Sequence, residues 1–165
     1  MQTDKVAFTC RGQTMLVQQL TMVNEVLEQS ELLYEGLVTL CDRKGARADV
    51  EWVDFLQRIF AIAVGVYTGA IFVFYSKNNK PLGFTVLIED TESKSRRTIF
   101  VYAGYSRTVQ RDSGRCAMEF ICRWAKVHNY VEVRAQSRRV NGAAMRYFRK
   151  VLGFVTLSVL FKKDL

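Results

Sequence analysis

The segment from Thr98 to His128 constrains the fold more than any other part of the chain. A β-branched and aromatic run, Thr98 to Tyr105, leads through the polar turn Arg111-Asp112-Ser113-Gly114-Arg115-Cys116 into a helical pattern over Ser113 to His128. This succession reads as strand, turn, helix. The first backbone N–H groups of a helix lack partners within it, and the helix dipole favours negative charge there. A glycine-bearing turn at that junction is therefore a place to hold phosphate. Arg107, Arg111 and Arg115 surround it, and at Gly114 a ligand can approach the backbone where a Cβ would intrude.

The rest of the chain supplies layers for this unit. Lys5 to Cys10 reads as a short strand. Gly12 to Gln29 places Met15, Leu16, Leu20, Val23, Val26 and Leu27 at helical spacing, with Glu25 and Glu28 facing outward. Ser30 caps a second helical pattern to Cys41, which ends in the loop Asp42-Arg43-Lys44-Gly45. Asp49 caps a third, with Trp52, Val53, Leu56, Ile59, Phe60 and Ala63 on one face. From Ile59 to Ser76 no residue is charged over 18 positions, and Gly65 and Gly69 form a GxxxG spacing, near the lower limit of a membrane span. The glycines read better as a break, and Ile71 to Tyr75 as a buried strand, so no membrane crossing is expected.

Ala70–Tyr75 and Pro81–Asp90 form a hairpin across Lys77-Asn78-Asn79-Lys80, and Thr98–Ser106 extends it to a three-strand meander. Tyr130–Ala135 is a strand, Asn141–Leu152 a helix stopped by Gly153, and Phe154–Phe161 a last strand. A mixed α/β sheet follows. A single domain over residues 1–165 is expected, with the N-terminal strand and helices in 1–69 and the sheet core in 70–165.

Charge and cysteine usage narrow the function classes. Residues 1–93 hold 8 Lys/Arg and 12 Asp/Glu, net −4, whereas residues 94–165 hold 16 and 4, net +12. A basic C-terminal half suits an anionic partner: a phosphorylated cofactor, nucleic acid or an acidic protein. Binding to nucleic acid would use the arginines between Arg134 and Arg149 and would weaken steeply with salt. The four cysteines, Cys10, Cys41, Cys116 and Cys122, form no CxxC pair, and His128 is the one histidine. No zinc or other metal site is expected, and reduced thiols in a cytoplasmic protein are the simplest reading. No basic segment followed by an apolar one opens the chain, so no signal peptide is expected.

Three motifs in order resemble the GCN5-related N-acetyltransferase (GNAT) superfamily. Ile71-Phe72-Val73, followed by Asn78-Asn79-Lys80-Pro81-Leu82-Gly83-Phe84, is similar to that family's second and third strands. Arg111-x-x-Gly114-x-Cys116 resembles its pyrophosphate signature, with Cys116 in place of the last small residue. Asn141-x-Ala143-Ala144 and Tyr147-Phe148-Arg149-Lys150-Val151-Leu152-Gly153-Phe154 resemble its penultimate helix and the exit from it. The resemblance covers about residues 70–155; residues 1–69 fit by element order.

The resemblance implies a mostly antiparallel central sheet flanked by helices, with the fourth and fifth strands, here Thr98–Ser106 and Tyr130–Ala135, splayed apart to admit acetyl-CoA. Backbone groups near Ala103, Gly104 and Tyr105 would pair with the pantetheine arm. Arg111, Asp112, Ser113, Gly114, Arg115 and Cys116 would form the pyrophosphate turn, and Asn141 would lie near the cofactor arm. From charge and position, Arg138 and Arg139 are assigned to the outer phosphates.

The implied reaction is direct acetyl transfer to an amine of a protein or small molecule. Its general acid is often a tyrosine of the penultimate helix, and counting from Asn141 puts Phe148 there. Tyr147 is one residue off, about 100° round a helix, so it serves if that helix carries a bulge and packs otherwise. No acid lies on Thr98–Tyr105, where Tyr102 and Tyr105 carry the ionisable hydroxyls. Glu89 and Asp90 end the preceding strand. Glu25, Glu28, Glu31 and Glu35 offer acids to a cationic amine or form the wet face of a helix. Only one C-terminal strand, Phe154–Phe161, is available, so the acceptor side is incomplete, or a second copy or partner chain completes that sheet edge. The alternative is an acetyltransferase fold without chemistry, kept for binding or assembly.

Overall fold

The computed structural model describes residues 4–42, 45–91, 96–107, 111–136 and 146–155. Along the chain run β1 (Val6–Cys10), β2 (Gln13–Gln19), α1 (Val23–Glu28), α2 (Ser30–Asp42), α3 (Ala48–Ala63), β3 (Gly69–Ser76), β4 (Pro81–Asp90), β5 (Thr98–Ser106), α4 (Arg111–Val127) and β6 (Glu132–Ala135), then a π-helical turn, Tyr147–Val151. The six strands form one sheet in the order β1-β2-β3-β4-β5-β6. All neighbours are antiparallel except β5 and β6, which are parallel. This is the mixed, mostly antiparallel sheet flanked by helices that the sequence implies.

Residues 12–29 depart from expectation. The single helix expected there is a strand followed by a six-residue helix. Arg11 and Gly12 both have positive φ, +50° and +75°, and the backbone of these two residues turns the chain into a tight hairpin. β2 then lies between β1 and β3, buried on both faces. Met15 and Val17 face one core and Leu16 the other, which is why the segment lacks a strand's alternation. Gln18 is buried with them and accepts a hydrogen bond from the Tyr75 hydroxyl at 2.8 Å. Glu25 does not face outward. It is buried, and its carboxylate accepts the backbone N–H groups of Thr21 and Met22 at 2.6 and 3.1 Å, satisfying donors ahead of α1.

The uncharged stretch Ile59–Ser76 divides as expected. α3 ends at Ala63, Gly65 has φ +78°, and β3 follows, buried on both faces between β2 and β4. Among the described residues no helix is long and apolar enough to cross a membrane. The buried face of α3 is Phe55, Ile59 and Ile62, not the face through Val53, which is 58% exposed. Arg47 holds the N-cap position of α3, with Asp49 inside its first turn, and Ser30 is the first residue of α2.

The helices form two layers. α1, α2 and α3 cover the sheet face that presents Ile71, Val73, Tyr75, Phe84, Val86 and Ala103. α4 covers the other face, packing Phe120, Ile121, Trp124 and Ala125 against Ala70, Phe72, Phe74, Leu87 and Ile99. Phe120 meets Phe8, Phe72 and Phe74 edge to face, at centroid distances of 5.4, 5.1 and 5.9 Å.

This packing corrects the reading of four reduced thiols. The β1–β2 hairpin brings Cys10 against α4, where it forms a disulfide with Cys116, Cα to Cα 5.6 Å across a sequence separation of 106. Cys41 and Cys122 stand outside the disulfide. Protein denatured without reductant should therefore titrate two thiols with a disulfide-exchange reagent, rising to four after reduction. Four thiols before reduction would show that the pair is open.

Candidate functional site: the free edge of β5 and the start of α4

The site is built where β5 outruns its neighbour. β5 and β6 pair from Thr98/Glu132 to Val101/Ala135. From Tyr102 to Tyr105, the β5–β6 ladder supplies no partner on that edge among the described residues. The two strands expected to part are thus found together, as the fifth and sixth in chain order because β2 adds a strand. At the point of parting β5 carries a bulge: Val86 pairs with Ala103 and Leu87 with Val101, so Tyr102 is the extra residue. A bulge breaks the strict alternation of side chains and re-aims them.

Tyr102 turns towards α3. Its ring stacks on Phe55, centroids 6.3 Å apart and 23° between planes, and the Arg58 guanidinium lies 5.4 Å from its centroid. Ala103 is buried in the core on the same face. Gly104 is exposed, and a Cβ there would meet nothing within 4 Å. Tyr105 points towards α2, whose backbone approaches so closely that a Cβ at Gly36 would lie 2.9 Å from the Tyr105 Cβ.

That close approach creates a cluster linking α2 to β5. The Tyr105 hydroxyl donates to one carboxylate oxygen of Glu35 at 2.5 Å. Arg107 donates to the other through Nε at 2.8 Å and Nη2 at 2.5 Å. The bonds from Arg107, and next the one from Tyr105, hold the Glu35 carboxyl below its ordinary range against a smaller effect of burial. The Tyr105 hydroxyl is pushed up, first by burial and then by Glu35. Arg107 is thus engaged on the α2 side of the sheet rather than over the turn. Glu35 lies on the helix whose acids were taken as a wet face or an amine-facing surface. It and Tyr105 stand 70 residues apart, and no local pattern in the sequence links them. Arg58, equally absent from the sequence reading, enters through the same face.

On the opposite layer α4 begins at Arg111. The amides of Arg111, Asp112, Ser113 and Gly114 have no carbonyl four residues back within the helix, whereas those of Arg115 and Cys116 do. Ser113 is buried, Asp112 half-buried, and Cys116 fully buried in its disulfide. Cys116 therefore serves here as packing and a cross-link, with no thiol for chemistry. Arg115 is half-buried, and its Nε is buried without a hydrogen-bond partner among the described residues.

The π-helical turn brings Tyr147 to this place. A π turn carries one residue more than an α turn, and Tyr147 is its first residue. The Tyr147 hydroxyl rests against Gly114 so closely that a Cβ at Gly114 would overlap it. Burial pushes this hydroxyl's pKa up, with Arg115 opposing. Phe148 packs instead on Phe154, centroids 5.7 Å apart, and Gly153 ends the turn with φ +74°. Tyr147, Gly114 and Arg115 thus form one group on the α4 layer, and Tyr102, Tyr105 and Glu35 another on the α2–α3 layer, with the free edge of β5 between them.

Other candidates lie elsewhere. Glu89 accepts from Arg97 Nε and from the Tyr130 hydroxyl, each at 3.2 Å, and Asp90 accepts from Arg134 at 3.4 Å. Both sit where β4 pairs with the start of β5, at the far end from the turn. Arg134 is also held by Glu132 at 2.8 Å. Arg138, Arg139 and Asn141 lie outside the described residues, as does the side chain of Arg111. A cavity of about 320 Å³ bounded by Cys122, Lys126, Tyr130, Val133 and Leu152 flanks the later part of α4, away from the turn. Among the described residues no group of three His, Cys, Asp or Glu side chains is placed to hold a metal ion.

Similarity to known proteins is found in structure alone. No protein-family model matches the chain, and no curated protein sequence matches it at a significant level. Solved structures do match over nearly the whole length. A probable acetyltransferase superimposes with a TM-score of 0.64 at 18% identity, over 90% of this chain and 96% of that one. An aminoglycoside acetyltransferase from an uncultured soil metagenomic sample, in complex with sisomicin, gives 0.65 at 14% identity, over 92% and 96%. An aminoglycoside N-acetyltransferase in complex with CoA gives 0.63 at 16% identity, over 95% and 99%. The fold is therefore that of the acetyltransferases, in agreement with the resemblance read from the sequence.

Proposed function

We propose that this protein is an acetyl-CoA-dependent N-acetyltransferase acting on an amine. The observation that carries this reading is the continuity of three features: the edge of β5 from Tyr102 to Tyr105 free of β6, the amides that open α4, and Gly114 lying bare beneath a hydroxyl. An extended polar arm suits an unpaired strand edge, which offers backbone N–H and C=O groups in a row. A pyrophosphate suits the start of α4, and the Tyr147 hydroxyl already occupies a position there that a phosphate oxygen could take. The buried Nε of Arg115, which has no partner among the described residues, supplies a cation with a donor beside it. These residues fit the group.

Acetyl-CoA, when bound, supplies an activated thioester. The chain's own residues supply the rest. The bulge at Tyr102 turns backbone groups of Tyr102 and Ala103 out of the regular ladder, where an N–H is available to a carbonyl oxygen. Gly104 leaves open space along the strand edge. Tyr147 keeps its proton at neutral pH and, once a phosphate displaces its hydroxyl from Gly114, could swing along the arm as the donor that a leaving sulfur requires. The amine would enter beside Tyr102, Tyr105 and Glu35, on the layer opposite the start of α4.

Calorimetry with acetyl-CoA tests the reading, with micromolar binding to the folded protein expected. A folded protein that binds no acetyl-CoA would overturn it, leaving an acetyltransferase fold kept for its surfaces. The same solved structures are complexed with CoA in one instance and an aminoglycoside in another, so amine-rich small molecules belong in the first acceptor screen.

A further inference from the structure

We infer that Tyr105, oriented by Glu35 and Arg107, receives an N–H of the acceptor amine and so sets the affinity for that amine. The inference rests on the acetyl-transfer reading and names the chemistry of its second substrate.

The argument is one of proton inventory. A phenol has one proton and two lone pairs. The Tyr105 proton goes to Glu35 at 2.5 Å. Glu35 has no proton to return, because Arg107 binds its other oxygen through two nitrogens. The neighbouring Thr39 hydroxyl donates to the Glu35 backbone carbonyl at 3.1 Å. The Thr39 side chain also lies within hydrogen-bond reach of the Tyr105 hydroxyl, so at least one lone pair of the Tyr105 oxygen is left as an acceptor. Its position is fixed from both sides: α2 presses on it at Gly36, and its ring packs on Phe84, centroids 6.0 Å apart. It is half-buried, on the stretch of β5 that has no β6 partner and on the layer away from the phosphate turn. An oxygen fixed as an acceptor suits a ligand that brings N–H groups. Glu35 and Arg107 act through Tyr105 and are positioning residues.

Three variants test this: Glu35→Gln, Tyr105→Phe and the double variant. Thiol release from acetyl-CoA is followed with benzylamine and spermidine as probe amines, and acetyl-CoA affinity is measured separately by calorimetry. In Glu35→Gln the new amide can donate to Tyr105, which frees the phenol proton to point at the amine. KM for the amine should rise roughly 10- to 100-fold, the range for losing a hydrogen bond to a charged group. The affinity for acetyl-CoA should stay within about twofold, with kcat changing less than KM. Tyr105→Phe should raise KM similarly, and Glu35→Gln should add nothing further in the Phe background, because its effect passes through the hydroxyl. A cluster that merely ties α2 to β5 would lower the melting temperature and leave KM alone. Unchanged KM in Glu35→Gln, or effects that add in the double variant, would overturn the inference while the acetyl-transfer reading stood. Acetyl-CoA binding with no turnover of either amine would also overturn it. No acetyl-CoA binding by the wild type would remove both readings.

Discussion

Gly114→Glu is expected to lose acetyl-CoA affinity by about 100-fold or more while the protein stays folded. The new side chain places a carboxylate where the amides opening α4 converge, and its Cβ takes the space now held by the Tyr147 hydroxyl. Two like charges about 5 Å apart repel by roughly 3 kcal/mol at an effective dielectric constant near 20, which is more than a hundredfold in binding. Folding should survive for two reasons. A carboxylate in the first turn of a helix interacts favourably with its dipole. The displaced group is the far end of a half-exposed tyrosine, free to swing outward, and not backbone. Calorimetry with acetyl-CoA, alongside thermal melts of both proteins, provides the measurement. Equal affinities in two folded proteins would show that no phosphate sits at Gly114, and the cofactor would have to be sought along another edge.

The second large effect concerns the core. Phe72→Ala should destabilise the protein by about 3–5 kcal/mol, the usual loss for a buried phenylalanine. Phe72 is 1% exposed on β3 and contacts Phe120 and Trp124 edge to face at 5.1 and 5.4 Å, so it joins the sheet to α4. At roughly 2–4 °C per kcal/mol for a chain of this size, the melting temperature should fall by about 10 °C. Val53→Ala is the contrasting variant. The helical pattern in the sequence assigns Val53 to the core, but α3 turns it to solvent, and its loss should stay within about 0.5 kcal/mol. Chemical denaturation of both variants measures the difference. A Phe72→Ala loss below about 1 kcal/mol would mean that α4 does not depend on this contact.

The legible parts of the fold were those whose signals are local. β4 and β5 fall at Pro81–Asp90 and Thr98–Ser106 as read, because β-branched and aromatic residues between turn signals leave few alternatives. α4 is amphipathic enough to show which side packs, and Ile121 and Ala125 are buried as its spacing implies. β2 was misread because Met15, Leu16, Val17 and Leu20 are apolar on both faces, and a strand buried on both sides has no period of two to reveal it. Arg11-Gly12 was the overlooked signal: two residues with positive φ fit a tight hairpin, not the start of a helix. Glu25 was misjudged for a related reason. A glutamate at helical spacing looks solvated, yet this one turns back to cap the N–H groups before α1.

The sequence by itself determined the strand–turn–helix unit, the bare glycine at its centre and the order of the motifs, since each depends on neighbours a few residues apart. The tertiary structure decided what lies across the cleft. The Tyr105–Glu35–Arg107 cluster joins a helix to a strand 70 residues later, and the disulfide joins positions 106 apart. That the Tyr147 hydroxyl lies against Gly114 is likewise a long-range contact that no residue pattern announces. Contacts of this kind follow from how closely two layers pack, here from α2 meeting β5 at Gly36, and packing distance is not a property of either segment alone.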